Sequence, residues 1–145
     1  MNKLYFPATD NLGEIYLSSG SIPNDWSEFS EAKGEVAIPL NQKVWLKIKD
    51  IRPIDLSFLG SFKAGDLQVL DLSGTAIEDV HLQYIQHLSG LEGLAIWETV
   101  ISDAALMYIT NLLSLRWLDI SDTKITSSGL GSLALLPQLR ELSLL

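Results

Sequence analysis

A leucine phrase recurs in this chain at a fixed interval, and no other feature restricts the fold as much. Leu67, Leu91, Leu115 and Leu139 stand 24 residues apart with no insertion between them. Leu67, Leu70, Leu72, Thr75 and Ile77 mark the first copy. Leu91, Leu94, Ile96, Thr99 and Ile101 mark the second, and Leu115, Leu118, Ile120, Thr123 and Ile125 the third. Leu139, Leu142 and Leu144 open a fourth that stops short. A constant period over three intervals is the mark of a stacked repeat, in which each copy is one supersecondary unit.

Each copy contains two periodicities. Its opening alternates, so that Leu70 and Leu72, Leu94 and Ile96, and Leu118 and Ile120 share a buried strand face. Further on, apolar residues recur three apart: Leu82, Ile85, Leu88; Leu106, Ile109, Leu112; Leu130, Leu133, Leu136. That spacing predicts helices near 79–89, 103–113 and 127–136. Strands are expected near 44–48, 68–72, 92–96, 116–120 and 140–144, paired in parallel. No single coil can bury its own apolar side, so stability must come from stacking.

These residues resemble the leucine-rich-repeat family, in its bacterial 24-residue form with Thr in the turn and Ile-x-Asp before the helix. The resemblance covers 67–145 well and 43–66 loosely. It implies an α/β architecture, a short right-handed solenoid of parallel strands and helices, and a protein-binding role. Thr75, Thr99 and Thr123 stand where many members carry Asn, and are expected to bond backbone of the adjacent coil. Asp79, Asp103 and Ser127 are placed to cap the helices that follow.

The chain divides on this reading into an N-terminal β cap (1–42), a degenerate first repeat (43–66), and three full repeats with a partial fourth (67–145). In the cap, 12–17 is a candidate strand, and 34–40 with 43–48 reads as a hairpin leading into the array. The cap pattern resembles a segment that precedes repeats in bacterial leucine-rich-repeat proteins and implies no function. Trp26 and Phe29 are expected to plug the open end of the cap core.

Composition narrows the function classes. The net charge is −8, with −2 in residues 1–66 and −6 in 67–145. An acidic array repels phosphate backbones and anionic lipid, which disfavours nucleic acid and membrane surfaces as partners. There is no cysteine, hence no disulfide or thiolate metal site. No signal peptide or membrane-spanning run is evident, and a cytoplasmic location is the expectation. His81 and His87 lie six apart, off one helical face, and read as convex surface. No phosphate loop, nucleophile elbow or zinc motif occurs. Neither a catalytic residue, a metal ligand nor a cofactor site is expected.

Outward strand positions form three columns on the concave face. The first is Trp45, Val69, Gly93, Trp117, Glu141; the second Lys47, Asp71, Ala95, Asp119, Ser143; the third Lys49, Ser73, Trp97, Ser121, Leu145. Trp45 is expected to contact the cap. Trp97 and Trp117, with Gly93 and Ala95 as a small floor between them and Asp71 and Asp119 beside, form the candidate patch for a protein or peptide. Two other readings stand beside it. One is a structural or self-associating fragment, with a homodimer through the edge at Leu139–Leu145, where Leu130, Leu133 and Leu136 would also be left bare. The other is an adaptor of a ubiquitin-ligase-like effector. That role needs a helical Leu-Pro segment at the N-terminus, where residues 1–42 instead read as β.

Overall fold

The strand phrase of each repeat pairs with its copy one period on. A computed structural model describes residues 1–21 and 24–145. Nine strands occur among them: β1 (Asn2–Tyr5), β2 (Gly13–Ser18), β3 (Ser27–Glu31), β4 (Glu35–Ile38), β5 (Lys43–Ile48), β6 (Val69–Asp71), β7 (Gly93–Ala95), β8 (Trp117–Asp119) and β9 (Glu141–Ser143). A seven-stranded sheet runs in the order β3-β2-β5-β6-β7-β8-β9, and β1 and β4 form a separate antiparallel pair. From β5 onward the ladder is parallel and the register is uniform. Trp45 faces Val69, Val69 faces Gly93, Gly93 faces Trp117, and Trp117 faces Glu141.

The core follows the leucine positions. Leu70, Leu94, Leu72 and Ile96 are sealed from solvent, as are Leu67, Leu91 and Leu115 where each coil begins. One continuous apolar cluster runs from Leu4 in β1 to Leu136 in the last full coil. The cap therefore supplies the first face against which the repeats stack, which repeat arrays require at their ends.

The returning segments are tighter than the expected helices. Asp79–Tyr84 is a 3₁₀ helix; Asp103–Ala105 is 3₁₀ and runs into the α turn Leu106–Ile109; the α turn Ser127–Leu130 runs into 3₁₀ at Gly131–Leu135. The cause is legible in the spacing. Apolar residues three apart match 3.0 residues per turn better than 3.6. The Ile85 N–H donates to Leu82, Leu88 to Ile85 and Leu91 to Leu88, so each apolar residue closes a turn on the one before it. The third copy repeats this from Leu133 to Leu136.

The side chains expected to act within or between coils exchange roles. The Thr75, Thr99 and Thr123 hydroxyls donate to Leu72, Ile96 and Ile120 of their own coil, each at 2.7 Å, instead of crossing to the next. The crossing is made by the aspartates. Asp79 accepts from the Ser102 N–H (2.7 Å) and hydroxyl (2.6 Å), and Asp103 accepts from the Thr126 N–H (2.8 Å) and hydroxyl. The Thr126 bonds hold the Asp103 pKa below its ordinary range. The first helix is capped by Glu78 paired with His81, and Thr126, not Ser127, is the N-cap residue in the third copy. His87 bonds the Phe62 carbonyl through Nε2 at 2.9 Å.

Two expectations for the cap fail. β4 does not form a hairpin with β5; it pairs with β1, while β5 pairs antiparallel with β2 from Gly13–Ile48 to Ser18–Lys43. The alternation in 12–17 and in 43–48 gives both strands a fully apolar side, and this makes them partners across 25 intervening residues. At Gly13 any side chain would collide with the Lys47 carbonyl, so the pairing needs glycine there. Phe29 is exposed on β3, and Trp26 leaves the cap core for the strand face. At the far end, Leu133 and Leu136 are buried, each 5% exposed, and Leu130 is half-buried. The bare apolar surface there consists instead of Leu135, Leu142, Leu144 and Leu145.

Candidate functional site

The ladder register carries the first two outward columns onto one face of the sheet, and backbone bonds from Gly74 to the Trp97 carbonyl and from Glu98 to the Ser121 carbonyl continue the stacking past the strand ends to the third. Column spacing along a strand is two residues, so Trp117 in the first column and Trp97 in the third are offset by about 13 Å along the strand direction. The expected single patch is therefore two places. Trp97, 40% exposed, stands where β7 runs out, next to Glu98. Trp117, half-buried, stands where β8 begins.

Gly93 is not an open floor between the two tryptophans. A Cβ on Gly93 would lie 2.1 Å from Cε2 of Trp117 and 2.4 Å from its Nε1, so the indole lies across the glycine itself. Glycine one coil earlier in the same column gives the ring a seat on the bare backbone of β7. Ala95, two residues on, is 6% exposed and adds little surface. Asp71 and Asp119 occupy the middle column and are half-buried. Each spends one oxygen on the turn that follows it. Asp71 accepts from the Ser73 N–H at 2.9 Å, and Asp119 from the Ser121 N–H at 3.0 Å and hydroxyl at 2.6 Å.

Trp117 is grouped with Trp26 of the cap and Trp45 of the first repeat, not with Trp97. Trp45 begins the same column three strands away and contacts Tyr16 on β2, with ring centroids 5.7 Å apart, as its expected contact with the cap requires. Trp26 meets Trp45 edge-on, centroids 5.5 Å apart and planes at 85°. Its neighbour Asp25 accepts from the Ser18 and Ser19 hydroxyls, and those bonds hold its pKa below the ordinary carboxylate value. The indole N–H of Trp45 is buried without a hydrogen-bond partner among the described residues. Such an orphan donor is uncommon in a folded protein.

Between these rings lies a cleft of about 650 Å³, floored by Val69 and flanked by Trp26, Trp45 and Trp117. Its rim is made by the residue that precedes each strand: Gln68, Glu92, Arg116 and Arg140. Paired N–H donors fix these one rung apart. The Glu92 carbonyl takes the N–H groups of Arg116 and Trp117, and the Arg116 carbonyl takes those of Arg140 and Glu141. Lys43 pairs with Glu92 at 3.1 Å. Arg116 and Arg140 make no ion pair among the described residues. Sequence reasoning missed Trp26, Arg116 and Arg140. The signal for the arginines was present, since they recur at one repeat position and hold two of the three cationic residues of 67–145.

Comparison with solved structures places this architecture. Over 62% of its length the chain superposes on an internalin C2 from Listeria monocytogenes, with 31% identity and a TM-score of 0.53. The architecture is that of a leucine-rich-repeat solenoid. A second internalin of Listeria monocytogenes (inlF) matches over the same share, with 29% identity and a TM-score of 0.52. The leucine-rich-repeat chain spans 36% of the first and 24% of the second, well under half of either. No protein-family model matches it, and no curated protein sequence does. Among the described residues no group of three His, Asp or Glu side chains could hold a metal, and no helix is long and apolar enough to cross a membrane.

Proposed function

We propose that the protein is a non-enzymatic interaction module that binds a protein or peptide on its concave strand face. One observation carries this reading: a tryptophan seated on backbone beside a cleft walled by two more on the strand face. Large aromatics in partly desolvated pockets are the residues that dominate binding energy at protein interfaces. The candidate residues are Trp117 on Gly93, Trp97 at the far end of the same face, and Asp71, Ala95 and Asp119 between them. The free carboxylate oxygens of Asp71 and Asp119 are acceptors for backbone N–H groups of an extended ligand laid across the strands. The likeness to internalins supports an interaction role for the repeat.

Affinity capture from the source cell tests this, comparing wild type with Trp97→Ala/Trp117→Ala. Proteins retained by the wild type and lost by the folded double variant are the expected result. An unchanged set of captured proteins would make the face inert.

A further inference from the structure

Among acidic surroundings, the N-terminal rim of the strand face is a cationic exception. We infer that the cleft between Trp26, Trp45 and Trp117 takes an acidic peptide segment, with an Asp or Glu side chain held by Arg116 and Arg140 and an adjacent aromatic or aliphatic residue placed between the indoles. The inference rests on the strand face being a binding surface and specifies the chemistry of its partner.

Charge complementarity decides the occupant. Arg116 and Arg140 are exposed, sit on adjacent rungs, and have no carboxylate within ion-pair distance among the described residues, although Glu92 and Glu141 lie in the same cleft. Neighbouring strands are about 4.8 Å apart, so two guanidinium groups can converge on one carboxylate and donate paired hydrogen bonds. The net charge of −8 opposes an acidic ligand only at long range. At physiological ionic strength that repulsion is screened beyond about 8 Å, whereas the contact with the arginines is not. The apolar requirement comes from the rings of Trp117, Trp45 and Trp26, which wall the cleft. The cleft is also longer than a single side chain. It shares Lys43, Gln68, Glu92 and Arg116 with a second hollow of about 780 Å³ over the rim, a path suited to an extended chain.

Selection from a displayed library of random peptides tests this, followed by titration of one selected peptide against protein labelled for indole N–H resonances. The expected selection is enriched in Asp or Glu beside an aromatic or aliphatic residue. The expected titration shifts the signals of Trp117 and of Trp45 or Trp26 and leaves Trp97 in place. Arg116→Gln/Arg140→Gln, with its melting temperature unchanged, should weaken that peptide about tenfold or more, and raising NaCl from about 0.1 M to about 0.5 M should weaken it too. Peptides that move the same indoles but carry no acidic residue, or that ignore the double Gln variant, overturn the inference and leave the binding face standing. Selected peptides that move no indole overturn both readings. A uronic-acid oligosaccharide that shifts the Trp117 signal while the library yields no binder overturns the peptide assignment.

Discussion

The two ends of the strand face each present a tryptophan, and the surroundings of the two differ in every physical respect. Trp97 stands singly at the end where the strands give way to turns, with Glu98 and Asp122 held there at φ of 55° and 52°. Trp117 stands at the end where the strands begin, seated on Gly93, across the cleft from the Trp26 and Trp45 indoles and bordered by two arginines that make no ion pair among the described residues. The first is a ring on an acidic turn and the second is part of a built cleft. Exposure alone would choose Trp97; packing chooses Trp117. A ring immobilised before binding loses less side-chain entropy when a ligand arrives, which favours the second as the anchor.

The strongest way to break the comparison is to remove what both ends share. Leu94, the middle residue of β7, has no solvent exposure and stands between the seat of Trp117 and the turn that carries Trp97. Leu94→Ala should cost about 2–5 kcal/mol in urea denaturation, through the cavity it leaves. Both tryptophan environments should loosen together in that variant. A loss under about 0.5 kcal/mol, the range of ordinary surface sites, would mean that the coils do not stack through this position.

A smaller change should separate the ends. Gly93→Ala puts a methyl group where the Trp117 ring lies, and the indole must lift from β7. The expected cost is about 1–3 kcal/mol, as for other overpacked sites. The Trp117 indole resonance should move, and that of Trp97 should not. Equal movement of both would show that the two ends are coupled and that the cleft is not a separate place.

The fold was far more legible in sequence than this cleft was. The period of 24 gave the strand register, because each Leu-x-x-Leu-x-Leu can bury its face in only one alignment. The recurrence of Leu82, Ile85 and Leu88 even held the 3₁₀ winding, had a period of three been weighed against 3.6. The cap strands were harder. β1 with β4 and β2 with β5 are pairings that bridge other strands, and alternation tells which side of a strand is buried without telling which strand lies beside it. Trp26 was hidden for the same reason. It belongs to no repeat, and its neighbours Asn24 and Asp25 look like solvent-exposed loop. A column records neither how far apart Trp117 and Trp97 stand nor that the Trp117 ring lies across the glycine beside it.

The mildest perturbation acts on one end only. Asp25 is held below its ordinary value of 3.8 by the Ser18 and Ser19 hydroxyls, so it is ionised and bonded in the folded state. A depressed carboxylate contributes its stabilisation in full above the unfolded value and loses it as pH falls through the folded one. Acidification below about pH 4 should therefore loosen the hold of Asp25 on Ser18 and Ser19 beside Trp26. Fluorescence and indole resonances should report this at Trp26 and Trp45 while Trp97 stays unchanged. Asp25→Asn should show no such transition. A pH response at Trp97 alone would assign the titration to another group.

The claim that the strand face binds through its N-terminal end is tested most directly by the two tryptophans taken singly. The affinity of one captured protein partner is measured by calorimetry for wild type, Trp117→Ala and Trp97→Ala, each shown to melt cooperatively. The account predicts that Trp117→Ala weakens binding about tenfold or more, the loss typical of an interface anchor, and that Trp97→Ala weakens it less. Binding unchanged in both variants would contradict it.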